Sequence, residues 1–312
     1  MTGATPLVSV VIPIHNVAPW IEGVVASVLR SSVDLELIVV NDATPDASAD
    51  LARAAIGNDP RGRVMNNVRT RGGDGARNTG LDMAEAPYVL FLDGDDELAD
   101  GGLAALVEAL MGNDAFSAVC GSFDSRDEHG APMTGGWEAE HRRALVSCSN
   151  PARAEDFARA QLAPPPGAIL MRTDLVRAVG GWDEGHELSG LATDSELLAR
   201  LSFAGPLAML PDRVLHYCVR PTSLSRRRDH PRKFFRARVL AIKRAPRSQR
   251  LSLGVATAAR SWQLAKERFG DWRQPSRVAR GVVNALHALT FLTLGLASTL
   301  VPTRWSEFHS KS

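Results

Sequence analysis

The segment Phe91-Leu92-Asp93-Gly94-Asp95-Asp96 sets three carboxylates behind the apolar run Tyr88-Val89-Leu90-Phe91-Leu92. Carboxylates gathered this closely repel one another unless a cation neutralises them. The run is rich in strand formers and bounded by turn residues, which predicts a buried parallel strand whose carboxyl end opens into a ligand crevice. That is where an α/β enzyme holds a metal-bound phosphate. The competing structural reading makes Asp96 and Glu97 the solvated head of a helix from about Leu98. A second acidic candidate is Asp194, in Ala192-Thr193-Asp194-Ser195-Glu196, just ahead of the amphipathic stretch Leu197 to Phe203. A carboxylate at such a helix start is ordinarily an N-cap.

The order of elements brings such groups to one edge. Val8 to Pro13 and Leu35 to Val40 are β-branched runs, each ending at a short polar loop. Between them Ala18 to Arg30 carries Ile21, Val24, Val25, Val28 and Leu29 at helical spacing, and Ser48 to Ile56 repeats the pattern. Alternating strands and helices predict right-handed βαβ crossovers and a mainly parallel sheet flanked by helices. The glycine-rich Arg71-Gly72-Gly73-Asp74-Gly75 is neither Gly-x-Gly-x-x-Gly, since Asn78 takes the last glycine's place, nor a P-loop, since no Lys-Ser/Thr follows. It reads as a turn that approaches a nucleotide or reverses the chain.

Five blocks in order are more specific than any one of them. VSVVIPIHN at 8–16, LELIVVNDATPDAS at 35–48, TRGGDGARNTGLDMA at 70–84, YVLFLDGDDEL at 88–98 and ATDSELLARLSFAG at 192–205 resemble a family 2 glycosyltransferase of the GT-A fold, the inverting, nucleotide-sugar-dependent group. GAILMRTDLVRAVGGWDE at 167–184 and HYCVRPTSLSR at 216–226 extend the resemblance over roughly the first 226 residues. It implies a catalytic domain over 1–228; beyond it the pattern becomes helical, and a helical extension over 229–312 is expected.

The resemblance also implies roles. Asp95 is the expected metal ligand, with Asp93 beside it and nearer the ribose, and Mg²⁺ or Mn²⁺ suits this all-oxygen ligation. Asp42 is expected to hydrogen-bond the base and His15 to lie against the base ring, in a loop with Pro13 and Asn16. Arg77 and Asn78 are expected to reach the base and diphosphate, an arginine suiting phosphate oxygens through its planar fork. Asp194 is the expected general base. Gly180 to Glu184 resembles an acceptor-binding segment, in which Trp182 reads first as a core plug and second as a face for a sugar.

Two departures stand out. Thr193 replaces the glutamate of a Glu-Asp pair, and Arg220 stands where many relatives have a histidine able to help bind the metal. Arginine cannot ligate a cation, yet it can contact diphosphate and replace part of the positive charge. His216 is four residues off register, and Arg226 to Arg228 could close over phosphate or be a solvated run. These departures leave room for a non-catalytic nucleotide-sugar-binding protein, and the D-x-D spacing for a nucleotidyltransferase.

With 312 residues, the chain suits one catalytic domain plus an extension, and a net charge of +1 argues against a nucleic-acid binder. Cys120, Cys148 and Cys218 make neither an even framework nor a C-x-x-C pair, which points to a reducing interior. Met1 to Leu7 has no charged or long apolar signal-peptide region, so a cytoplasmic protein is expected. The abundance of arginine over lysine, with much alanine, suggests a bacterial source. Phe234 to Arg244 and Leu251 to Phe269 read as basic amphipathic helices, and Gly281 to Val301 is uncharged and near spanning length, though Asn284, His287 and its threonines make it a mediocre span. The expectation is association with the inner face of the cytoplasmic membrane, in-plane or spanning. The function expected is transfer of a sugar from a UDP-linked donor to a hydroxyl of a glycan or lipid-linked acceptor in envelope polysaccharide synthesis.

Overall fold

In the computed structural model the residues described are 5–133, 138, 151–153, 164–185, 193–221, 239–240, 242–269 and 275–300. Val8–Ile14 forms β1 and Leu35–Asn41 forms β2, paired in parallel from Val8 with Leu35 to Ile14 with Asn41. Nearly every side chain of both is buried, as in a sheet covered on both faces. Helix α1, Ile21–Leu29, begins at the first residue of its apolar pattern, after a turn closed by Trp20 N–H onto the Val17 carbonyl (3.0 Å). Helix α2 spans Ser48–Ile56, as its spacing predicts. Strand β3, Gly62–Asn66, lies outside β2; helix α3, Gly73–Met83, leads to β4, Tyr88–Phe91, which lies parallel to β1 on its other side.

The parallel half is therefore β3-β2-β1-β4, and beyond it the sheet is mixed. The next elements in the chain are β5 (Glu97–Leu98), α4 (Gly102–Met111), β6 (Ala118–Asp127) and β7 (Pro132–Met133). A 3₁₀ turn at Pro166–Ala168 opens β8 (Ile169–Arg172), and α5 (Thr173–Ala178), α6 (Thr193–Ala204) and β9 (Leu207–Val219) follow. Strand β8 is antiparallel to β4 and β6, β9 is parallel to β6, and β5 is antiparallel to β9. The helix anticipated from Leu98 is corrected: Glu97 and Leu98 pair with His216 and Leu215, and α4 begins only at Gly102. Asp96 is accordingly no helix cap, and its Oδ1 accepts the Cys218 backbone N–H (2.8 Å).

Strand alternation sends Val10, Ile12, Leu37 and Leu90 to one side of the sheet, with Val25 and Leu106, and Val11, Ile38 and Phe91 to the other, with Trp182, Leu197 and Leu201. One buried charge interrupts this pattern. Glu36 on β2 accepts from Ser9 Oγ (2.7 Å) and the Glu85 N–H (2.7 Å) and pairs with Arg63 (2.7 Å), so its burial is compensated on three sides.

Helices α7 (Arg247–Phe269) and α8 (Pro275–Leu300) pack on each other, and their Leu253, Ala288 and Phe291 form with Ile242 an apolar cluster against Phe203 of α6. Arg244 adds ion pairs to Glu196 (2.5 Å) and Asp183 (3.1 Å). Among the described residues no helix is long and apolar enough to cross a membrane, so the spanning reading of Gly281 to Val301 is not met; Asn284, His287, Thr290 and Thr293 interrupt the apolar run. Leu286, Leu289, Leu292 and Leu296 of α8 are exposed, as is Trp262 of α7. Cys120 and Cys218 are buried and outside any disulfide, while Cys148, Arg226 to Arg228 and most of the polar segment 134–163 lie outside the described residues.

Candidate active site

The carboxyl ends of β1, β2 and β4 bring the predicted residues to one edge, and α3 is pressed onto that edge by glycine. A Cβ on Gly75 would stand 1.8 Å from the Thr70 carbonyl oxygen, a backbone atom that cannot yield cheaply. The first turn of α3 can therefore lie on the 70–72 loop only without a side chain there. The glycine-rich block is thus a loop and a helix start, with Asp74, Arg77 and Asn78 on α3.

Arg77 is the hub. Its Nη2 donates to Asp93 Oδ1 (2.6 Å) and its Nη1 to Asp74 Oδ1 (3.2 Å), while its guanidinium carbon lies 4.5 Å from the centre of the Trp182 ring. The side chain is only 12% exposed, so it faces the site and not solvent. Burial works against its charge, but Asp93 and Asp74 outweigh it and keep the guanidinium protonated. The same Asp74 Oδ1 accepts the hydroxyl of Thr193 (3.0 Å), so the residue standing in place of a glutamate is built into the site.

Asp194 sits next to Thr193 in the first turn of α6, with Ser195 N–H donating to its Oδ1 (2.6 Å). Burial pushes its carboxyl up to about 6, opposed by that hydrogen bond and by the nearby charge of Arg77. A carboxylate so poised takes a proton near neutral pH. Trp182 is 3% exposed and meets Phe91 edge-on with ring centres 5.2 Å apart, so it is a core plug rather than an open sugar platform.

Other predicted residues share the edge in different postures. Asp42 is buried, and its oxygens accept from Asn67 Nδ2 (2.7 Å) and Gly72 N–H (2.9 Å); it braces the 67–72 loop. His15 Nδ1–H donates to the Asp42 carbonyl (3.1 Å) and its ring is exposed. Asn16 has a φ of 55° and donates its N–H to Thr44 Oγ1 (2.9 Å), while Pro13 presents its carbonyl to Gly94 in the acidic loop. Asn78 differs from expectation. Its amide donates to the Trp182 carbonyl (2.9 Å) and Glu184 (2.6 Å) and accepts the Trp182 N–H (2.8 Å), so it clamps the Gly181–Glu184 segment and turns no group toward the edge. Gly181, at φ 67°, permits that clamp, since a Cβ there would lie 2.5 Å from Asn78 Oδ1.

The acidic loop carries its own counter-charges. Arg220, just past the end of β9, places Nε 2.5 Å from Asp95 Oδ2 and its guanidinium carbon 4.8 Å from the centre of the Trp20 ring. Burial holds the Asp96 carboxyl well above the usual carboxylate range, reinforced by Asp95 and Asp93. His216 Nδ1 is bonded to Asp124 (2.6 Å), and Arg126 donates to its Nε2 (3.0 Å), so both ring nitrogens are engaged away from the acidic loop. Among the described residues no group of three or more His, Cys, Asp or Glu side chains stands together as a metal site. Asp93 and Asp95 each already hold a guanidinium through one carboxylate oxygen, so Mg²⁺ or Mn²⁺ placed here would sit against two positive charges, and the arrangement fits it poorly.

Sequence reasoning missed Asp74, Trp20 and Glu184. Asp74 was visible only as the acidic residue inside a glycine block, and Trp20 as an aromatic two residues past a predicted loop.

The chain's similarity to known proteins agrees with this geometry. The family model described as Glycosyl transferase family 2 matches residues 9–175. EpsJ of Bacillus subtilis, a glycosyltransferase, is 39% identical over 120 residues, covering 38% of this chain and 34% of its own. A GalNAc(5)-diNAcBac-PP-undecaprenol beta-1,3-glucosyltransferase of Campylobacter jejuni is 32% identical over 119 residues, 38% of each chain. The matched part thus spans well under half the length of these two relatives. Among solved structures, S. aureus TarS 1–349 in complex with UDP-GlcNAc superposes with a TM-score of 0.67 at 14% identity, over 94% of this chain and 88% of that one. A Pyrobaculum calidifontis mannosyltransferase in complex with GDP-Man and Mn²⁺ gives a TM-score of 0.54 at 18% identity, over 97% and 88%. The sheet with its flanking helices is the GT-A fold these structures share. With the family model covering more than half of its length, the chain belongs to glycosyl transferase family 2.

Proposed function

We propose that the protein transfers a sugar, with inversion, from a nucleoside diphosphate donor to a hydroxyl of a glycan or lipid-linked acceptor. The observation that carries this reading is one continuous path: Asp194 adjoins Thr193, Thr193 bonds Asp74, Asp74 bonds Arg77 and Arg77 bonds Asp93. A base and a donor-side carboxylate are thereby fixed in one frame. Asp194, with its carboxyl near 6, takes the acceptor hydroxyl's proton as that oxygen attacks the anomeric carbon. The nucleoside diphosphate leaves from the opposite face, and positive charge at the acidic loop stabilises it as it departs. His15 and Asp42 are the groups proposed for the base.

A UDP-linked donor is favoured because the TarS neighbour is in complex with UDP-GlcNAc. Envelope polysaccharide synthesis is favoured by the undecaprenol-linked substrate named for the Campylobacter relative. The exposed leucines of α8 supply an apolar surface by which the protein would approach a membrane holding such an acceptor. The family generally employs a divalent cation, which supplies charge to a departing diphosphate when bound; here Asp95, whose Oδ2 already pairs with Arg220, is the residue that would hold one. The two departures that suggested a binding-only protein are both bonded into the site, and this favours the catalytic reading.

The test is release of nucleoside diphosphate from labelled nucleotide sugars, dependent on added envelope glycan or lipid extract. Asp194→Asn should lower turnover by about 10²–10⁴-fold with folding intact. Pyrophosphate as the product would indicate nucleotidyl transfer instead.

A further inference from the structure

Arg220 is held from several directions. Its Nε meets Asp95 Oδ2 at 2.5 Å, and its planar head lies on the Trp20 ring at 4.8 Å. The backbone two residues earlier is pinned by Cys218 N–H to Asp96 Oδ1 (2.8 Å), and Trp20 is fixed by its indole N–H to the Glu128 carbonyl (3.3 Å). Arg77 does for Asp93 what Arg220 does for Asp95. Two guanidinium groups thus balance two carboxylates of the acidic loop.

A guanidinium is always charged and pairs with phosphate oxygens through its fork, so it can hold a diphosphate as well as balance a carboxylate. Exchanging Arg220 for a cation would separate an ion pair that is only 21% and 11% exposed and would bring a second positive charge beside Arg220 itself. We propose that Arg220, with Arg77, takes the cation's place, so that this protein binds the diphosphate of its donor without a divalent metal. The inference rests on the nucleotide-sugar reading above.

The experiment is calorimetric titration of UDP, GDP and UDP-GlcNAc into the full chain, with EDTA, Mg²⁺ or Mn²⁺, for wild type, Arg220→Ala and Arg220→His. Thermal unfolding of each variant checks that it is folded. Wild type should bind one nucleotide equally well in EDTA and in Mn²⁺. Arg220→Ala should bind about 10- to 100-fold more weakly in EDTA, the loss expected for a charge-assisted hydrogen bond, and Mn²⁺ should restore part of it at the vacated Asp95. Arg220→His, which introduces a ligand, should make binding metal-dependent. Wild-type binding that requires Mg²⁺ or Mn²⁺ would overturn the inference and leave the transferase reading standing. Binding in EDTA that is unchanged in Arg220→Ala would also overturn it. No binding of any nucleotide under any condition would overturn both.

Discussion

Arg77 and Asp93 form the joint of the site: the guanidinium Nη2 reaches the carboxylate at 2.6 Å from a helix in one βα unit to a loop in the next. Because Asp74 takes the other end of the fork, α3 and the acidic loop hold their positions together.

Breaking this joint should cost stability as well as binding. Arg77→Ala leaves Asp93 and the buried Asp74 without their counter-charge, a loss of about 3–5 kcal/mol for a buried pair deprived of one partner. Arg77→Lys keeps the charge but cannot span two carboxylates, so it should recover only part of the stability. Urea unfolding of the three proteins measures both effects.

Asn78 should behave differently. Its three hydrogen bonds go to Trp182 and Glu184, so Asn78→Ala should destabilise the fold by about 1–3 kcal/mol. It should change nucleotide affinity far less than Arg77→Ala does. Comparing the shift in unfolding midpoint with the change in nucleotide Kd for both variants separates a clamp from a ligand-binding residue.

The pH dependence follows from Asp194, whose carboxyl is raised from 3.8 to about 6 by burial. Between these values the folded chain holds a proton that the unfolded chain has released, so this group's contribution to stability falls as pH rises through the window and is level above it. Activity runs the other way, since a base works only when deprotonated: kcat/KM should climb with pH through an apparent pKa near 6. Asp194→Glu should move that limb, and Asp194→Asn should remove it from what turnover remains.

Gly75→Ala tests the packing of α3 on its preceding loop. The added methyl would sit 1.8 Å from the Thr70 oxygen, so the loop or the helix start must move, at about 1–3 kcal/mol. The loop also carries Gly72, whose N–H reaches Asp42, so nucleotide affinity should fall with stability. Differential scanning calorimetry and a nucleotide titration of the same variant read the two together.

Much of the parallel half was legible because it rests on local pattern. The runs Val8 to Pro13 and Leu35 to Val40 are strands by side-chain type alone, and α2 falls where its spacing puts it. What depended on distant partners was not. Glu97-Leu98 reads as a helix start until β9 pairs with it, and Asn78 reads as a nucleotide contact until Trp182, more than a hundred residues on, takes up its amide. Glu196 carries no signal of its burial, yet it is fully buried between Arg200 (2.6 Å) and Arg244 (2.5 Å), the second from a segment that reads only as a basic amphipathic helix. The mixed half of the sheet was likewise hidden, since strand direction is set by which neighbours arrive and not by the strand's own residues.

The central claim, that this edge of the sheet binds a nucleotide sugar for transfer, is tested most directly by calorimetric titration of UDP-, GDP- and dTDP-sugars and their free diphosphates into wild type, Arg77→Ala and Asp42→Ala. The account predicts saturable binding of one nucleotide series to wild type, lost in Arg77→Ala and weakened in Asp42→Ala, with all three proteins folded. Absence of binding to wild type in every series, or binding that both substitutions leave untouched, would contradict it.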